Sequence, residues 1–221
     1  MERLVVSWVT AEPDRLAARL AALGFTLIDR RLLAFPHGEV RLVPLASGPG
    51  RERLVDPRWE RPTGETHTRP GHANGVSDIV ALGWATVDAD RATVATALDL
   101  ADAFAPLPDD RHLGARVRGS LARQPATFLL EPSTEGRLAA TLARLGEGPV
   151  ALYLVTGGGE LGAVVSAMSA HIPAMGAAAG RPDVRPGPLG PAVLLPGGPA
   201  WGPHLLVVAQ WPATPDRPRA K

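Results

Sequence analysis

The six apolar, β-prone residues Val150-Ala-Leu-Tyr-Leu-Val155 follow a segment that carries Leu138, Leu142 and Leu145 at helical spacing and ends in Gly146-Glu-Gly148. Just upstream stands Phe128-Leu-Leu-Glu-Pro132, a second apolar run closed by a proline. Short apolar runs bounded by Gly and Pro read as strands, and the leucine spacing between them reads as one helical face. The middle of the chain is therefore strand, helix, turn, strand. Whatever the chain folds into must accommodate that join.

The remaining patterns repeat one theme. Leu4 to Val9 is β-like, Glu12-Pro-Asp14 opens a helix with Leu16, Leu20 and Leu23 on one side, and Gly24 stands where a helix stops. Segments 25–29, 32–35 and 40–45 are β-prone, with a tight turn at Pro36-His-Gly38. A second unit starts with the strand-like segment 79–87, has Asp88 as cap of a helix burying Val94 and Leu98, and closes with β-prone segments 115–121 and 126–130. A third starts at Val150, turns at Gly157-Gly-Gly159, places Leu161, Val164, Val165 and Met168 on one helix face, and ends in segments 192–195 and 204–209.

Each unit reads as βαβββ, at a spacing of about 70 residues. The expected division is 1–45, 79–149 and 150–211 for the modules, 46–78 for a Pro/Gly/Arg-rich linker anchored only by Trp59, and 212–221 for a tail. The fold class is α+β.

Composition narrows the function. The 23 Lys and Arg residues balance 22 Asp and Glu, so there is no cationic field for nucleic acid. Cysteine is absent, which removes disulfides, thiolate metal sites and thiol nucleophiles together. The N-terminus lacks a signal-like apolar core, and no apolar run approaches the roughly 18 residues of a membrane span. The expectation is a cytoplasmic protein with no membrane partner.

The phrase Phe128-Leu-Leu-Glu-Pro132, the helix 136–146 and the Gly-Glu-Gly148 turn resemble the join between the two halves of proteins similar to methylmalonyl-CoA epimerase in the vicinal oxygen chelate superfamily, which also contains glyoxalases and bleomycin-resistance proteins. The resemblance implies βαβββ modules paired into a curved mixed sheet around a cavity, with a divalent metal held by inward side chains of first and fourth strands. Carried over, the ligand positions are Ala81, Phe128, Ala151 and Val207, or Leu206 beside it. None offers a donor atom, and a dication without N or O donors is not compensated for its lost water. The expectation is no metal and no other cofactor.

In the first module the same positions hold Ser7 and Arg41, the latter able to grip a carboxylate or phosphate. Tyr153, two residues past Ala151, is expected on the same inward face. The six histidines show no paired ligand spacing; His67 and His72, with Glu65, are the one cluster able to reach over a cavity. No catalytic residue is assigned.

Three functions follow: a metal-free binding protein for a small organic molecule, walled by Ser7, Arg41, Ala81, Phe128, Ala151, Tyr153 and Val207; a lyase, epimerase or dioxygenase with displaced or no metal ligands; and a degenerate structural or interaction paralogue. With three modules one is left unpaired, and a homodimer through the first would cover its edge. The missing donors predict that elemental analysis of the purified protein finds no stoichiometric Mn, Ni, Fe or Zn; about one tightly held ion per chain, lost on His67 or His72 substitution, would return the weight to an enzyme.

Overall fold

A computed structural model describes residues 2–46, 51–61, 71–95, 104–121, 123–158, 160–171, 182–196 and 202–209. The first module begins with strand β1 (Arg3–Thr10) and helix α1 (Pro13–Ala22), whose Leu16, Ala17 and Leu20 are buried. Strands β2 (Leu32–Phe35) and β3 (Gly38–Pro44) follow, and β3 lies parallel to β1 with Val6 opposite Val40. Segment 25–29, expected as a strand, is not one. It holds only an isolated bridge from Ile28 to Leu32, and Asp29 and Arg30 take positive φ angles that a strand does not tolerate.

The stretch 46–78, read as a linker, contains strand β4 (Arg53–Glu60), which pairs antiparallel with the free side of β1. Leu54 is buried, and Trp59 packs against the core while its indole N–H donates to the Pro125 carbonyl at 3.1 Å. Asp56 has a φ of 50°, and the pairing with β1 slips between Val5 and Ser7 at Asp56-Pro57. An irregular, proline-bearing strand of this kind suits an edge. The resulting sheet has the order β2-β3-β1-β4.

The second and third modules form one eight-stranded sheet. In the second, β5 (Val76–Ala85) and α2 (Ala89–Ala95) precede β6 (Ala105–Asp110), β7 (Ala115–Ser120) and β8 (Ala126–Pro132). Helix α3 (Arg137–Leu145) leads to the third: β9 (Gly148–Thr156), α4 (Leu161–His171), β10 (Val184–Gly187), β11 (Gly190–Leu194) and β12 (His204–Val208). Val94 contributes no described side chain, and Leu98 lies outside the described residues.

Strand order is β10-β11-β12-β9-β5-β8-β7-β6. Each module closes by a parallel pair, β5 with β8 (Gly83 opposite Phe128) and β9 with β12 (Tyr153 opposite Leu206). The two first strands then join antiparallel, Ala81 opposite Tyr153 and Gly83 opposite Ala151. The sheet curls until its edges β6 and β10 come together. There the Arg111 amide donates to the Pro186 carbonyl at 3.1 Å, and the His112 Nε2–H donates to the Ala192 carbonyl at 2.9 Å.

Both faces of this sheet are covered. Ile79, Leu82, Leu152, Leu154, Leu205 and Val207 share a core with the first module, α1 and α4. Ala81, Phe128, Ala151, Tyr153, Leu206 and Val208 share the other with Leu138 of α3 and Leu113. Asp78, at the start of β5, accepts the backbone N–H groups of His37 and Ile79 at 2.8 Å each and also meets the His37 ring, fastening the β2–β3 turn to the larger sheet. If β4 is an integral strand, Leu54→Ala will cost about 3 kcal/mol, the usual scale for truncating a buried leucine; a loss under about 1 kcal/mol in denaturant titration would make the segment a mere connection.

Candidate functional site

Strand alternation puts Ala81, Gly83 and Ala85 beside Phe128 and Leu130 on one side and beside Ala151 and Tyr153 on the other. Ala81, Phe128, Ala151 and Tyr153 are thus gathered on the inward face, and each is fully buried. Val207 is not with them. It belongs to the core on the opposite face, and its neighbour Leu206 stands across from Tyr153. A one-residue shift along a strand reverses the face, so Leu206 is the inward residue of that pair.

The inward face is filled with carbon. The Phe128 and Tyr153 rings meet edge to face, 5.1 Å between centroids. A Cβ built on Gly83 would lie 2.7 Å from Leu130 Cδ1 and 3.0 Å from Ala151 Cβ, and one on Gly119 2.8 Å from Phe128 Cδ1. These glycines stand where neighbouring side chains leave no room for a methyl group. The metal implied by the resemblance does not fit this lining, since Ala81, Phe128, Ala151 and Leu206 supply no donor. Among the described residues no group of three or more His, Asp or Glu is placed to hold an ion.

Ser7 and Arg41 are register partners in the smaller sheet, away from that interior. The Arg41 guanidinium is half-exposed and bound to buried Glu39, with Nε 2.8 Å from Oε1, and Arg3 reaches Glu39 at 3.3 Å. His72 is enclosed in the first module, its Nδ1 accepting the Thr26 amide at 3.1 Å and its ring set edgewise to Phe25 and Phe35. Burial lowers its pKa and favours the neutral ring. It packs; it does not reach over a cavity. His67 and Glu65 lie outside the described residues.

The polar centre that sequence reasoning missed is Asp110. It ends β6, and its carboxylate is fully buried behind the turn 111–114. Oδ1 accepts the amides of His112 and Leu113 at 2.9 and 3.0 Å, and Oδ2 accepts the Tyr153 hydroxyl at 2.7 Å. Burial pushes the Asp110 pKa up, opposed by these hydrogen bonds and by His112. Burial and the adjoining carboxylate push the Tyr153 phenol well above its ordinary value, so it stays a donor. The Leu113 carbonyl accepts the Leu138 amide at 3.0 Å, tying α3 to the same turn. Buried His204 lies beside Thr141 of α3, 3.2 Å from its hydroxyl; desolvation, then the Arg137 charge, lowers its pKa to about 4.

Outside this turn, where the sheet edges meet, opens a cleft of about 500 Å³ lined by Asp109, Asp110, Arg111, Gly114, Ser133, Thr134, Arg185 and Pro186. Asp110 is its floor, held from behind by Tyr153. The Arg185 Nε donates to Asp183 at 2.7 Å, leaving its terminal nitrogens; Arg111 makes no ion pair among the described residues. Strand β6 was invisible beforehand because Pro106, Pro108, Asp109 and Asp110 break every apolar alternation.

The paired modules and their strand order make a glyoxalase-like curved sheet of the α+β class. No protein-family model matches the chain, and no curated protein matches it. Among solved structures it is similar to methylmalonyl-CoA epimerase from Mycobacterium tuberculosis, at 16% identity over 62% of this chain and 91% of that one, with a TM-score of 0.48. A hypothetical protein from Bacillus halodurans is similar at 15% identity over 63% and 98%, TM-score 0.47. A Streptomyces coelicolor methylmalonyl-CoA epimerase variant in complex with 2-nitronate-propionyl-CoA follows at 17% over 63% and 99%, TM-score 0.43. Likenesses at these TM-scores carry no argument, and the fold rests on the strand order.

Because burial raises the folded Asp110 pKa above its unfolded value, the native state binds more protons through that interval and stability falls as pH rises across it. His204 acts oppositely: its depressed pKa removes stability as pH falls from 6.5 towards about 4. The difference between native protein and Asp110→Asn cancels His204. That difference is expected to move in favour of the variant as pH rises above the ordinary carboxylate range; a flat difference in melts from pH 3 to 8 would show that the buried carboxylate carries no such cost.

Proposed function

We propose that the protein binds a small organic molecule, and that it does so at the cleft where β6 meets β10 rather than at a metal or in the barrel interior. The observation that carries this is the contrast between the two places. The inward face is packed to the point that Gly83 and Gly119 have no space for a Cβ, whereas the seam offers about 500 Å³ with polar groups converging on it. Ligand sites are concave and have a few fixed polar groups. Here Asp110 is held by three hydrogen bonds, one of them from Tyr153, so the floor is rigid before any ligand arrives. Tyr153 supports the site from behind through its hydrogen bond to Asp110, and Phe128, Ala81 and Ala151 belong to the packed core.

The balance of 23 basic and 22 acidic residues favours a small-molecule partner over nucleic acid. No helix among the described residues is long and apolar enough to cross a membrane. The first module's edge is met by β4 within the same chain, so the reading does not require a second subunit.

A fragment library screened by amide NMR tests the proposal. Hits are expected to shift Gly114, Ser133 and Arg185, and to be lost in Ser133→Trp, which fills the cleft from an exposed position. Ala151→Leu is expected to destabilise by about 1 to 3 kcal/mol through overpacking without being needed for recognition. Shifts centred on Phe128 and Tyr153 that survive Ser133→Trp would overturn the choice of site, and an absence of any hit would leave the barrel a structural module.

A further inference from the structure

The lining of the seam narrows the ligand, on the premise that the cleft is the binding site. Its two cations come from opposite sides: Arg111 follows β6, and Arg185 lies on β10. Formal charges on the lining balance, Arg111 and Arg185 against Asp109 and Asp110. Availability does not balance. Asp110 has both oxygens engaged by Tyr153, His112 and Leu113. Arg111 has no ion pair among the described residues, Arg185 uses only Nε on Asp183, and the hydroxyls of Ser133 and Thr134 make no bond to protein groups among the described residues. The free charged groups are therefore the two guanidinium groups and exposed Asp109, and the two hydroxyls can donate to a ligand as well as accept from it. Guanidinium pairs and hydroxyls are the groups that hold oxyanions.

We propose that the cleft recognises an oxyanion, a carboxylate or phosphate on a small organic molecule, bridged between Arg111 and Arg185 across the seam. A ligand so held acts as a clasp. The turn after β6 is joined to the other end of the sheet by the Arg111 amide on the Pro186 carbonyl of β10 and by the His112 ring on the Ala192 carbonyl of β11, and the bridging anion adds a third link from side chains. Binding therefore tightens the barrel at its seam as well as filling the cleft.

The test titrates inorganic phosphate and succinate, with succinamide as the uncharged counterpart, into the native protein, Arg111→Gln, Arg185→Gln and Ser133→Trp. Both anions are expected to shift Gly114 and Ser133, to slow hydrogen exchange of the Arg111 amide, and to weaken about tenfold or more in each arginine variant, as loss of a charge-assisted bond does. Stronger binding of succinate than phosphate assigns a carboxylate, and the reverse a phosphate. Succinamide is expected not to bind. Fragments that occupy the cleft and are lost in Ser133→Trp, with phosphate and succinate indifferent to both arginines, would overturn the oxyanion while leaving the cleft as the site. If neither fragments nor anions touch the cleft, both readings fall together. Anion binding that weakens with Arg185→Gln but leaves Arg111 amide exchange unchanged would refute the bridge.

Discussion

Everything in this molecule depends on the burial of β5 and β9 from both sides. These two first strands lie antiparallel at the middle of the large sheet, with the smaller sheet, α1 and α4 over one face and α3 with the 111–114 turn over the other. A strand in that position has no solvent-facing side on which to place polar residues, and so it reads as a nearly unbroken apolar run. The same burial fixes what the barrel can contain. Alanine, phenylalanine and leucine fill the inward positions, and glycine appears where a ring or a branched chain comes too near.

That constraint explains which parts were legible. Val150 to Val155 and the strand-like segment from Ile79 were plain because two-sided burial writes itself as hydrophobicity, and the leucines of α1 and α3 because one-sided burial writes itself as helical spacing. Ala81, Phe128 and Ala151 were placed by the family resemblance and Tyr153 by period-2 alternation from Ala151; between Val207 and Leu206, equally apolar, nothing in the residues distinguishes inside from outside, and the structure puts Leu206 with the inward group.

Edge strands were the blind spot. β4 and β6 each satisfy hydrogen bonds along one flank only, and so tolerate Pro57, Pro106 and Pro108 and a run of charge. Their composition is that of a loop, and only the tertiary structure shows that they are strands. Asp110 was hidden for the same reason. Its partner Tyr153 is distant in sequence, and the closure that brings them together is a property of the curled sheet. The first module's missing strand had the reverse cause: residues 25–29 are β-prone, yet Asp29 and Arg30 turn with positive φ and end the pairing before it starts.

The capping of β1 by β4 has a consequence for what else can pair with the small sheet. In the large sheet the free flank of one first strand is taken by the first strand of the next module, which is how a duplicated unit becomes a barrel. In the small sheet that flank is already occupied by an irregular strand whose pairing with β1 slips at Asp56-Pro57. The connection thus fills the flank of β1 that the two first strands of the large sheet offer to each other, and another strand could pair there only by displacing β4.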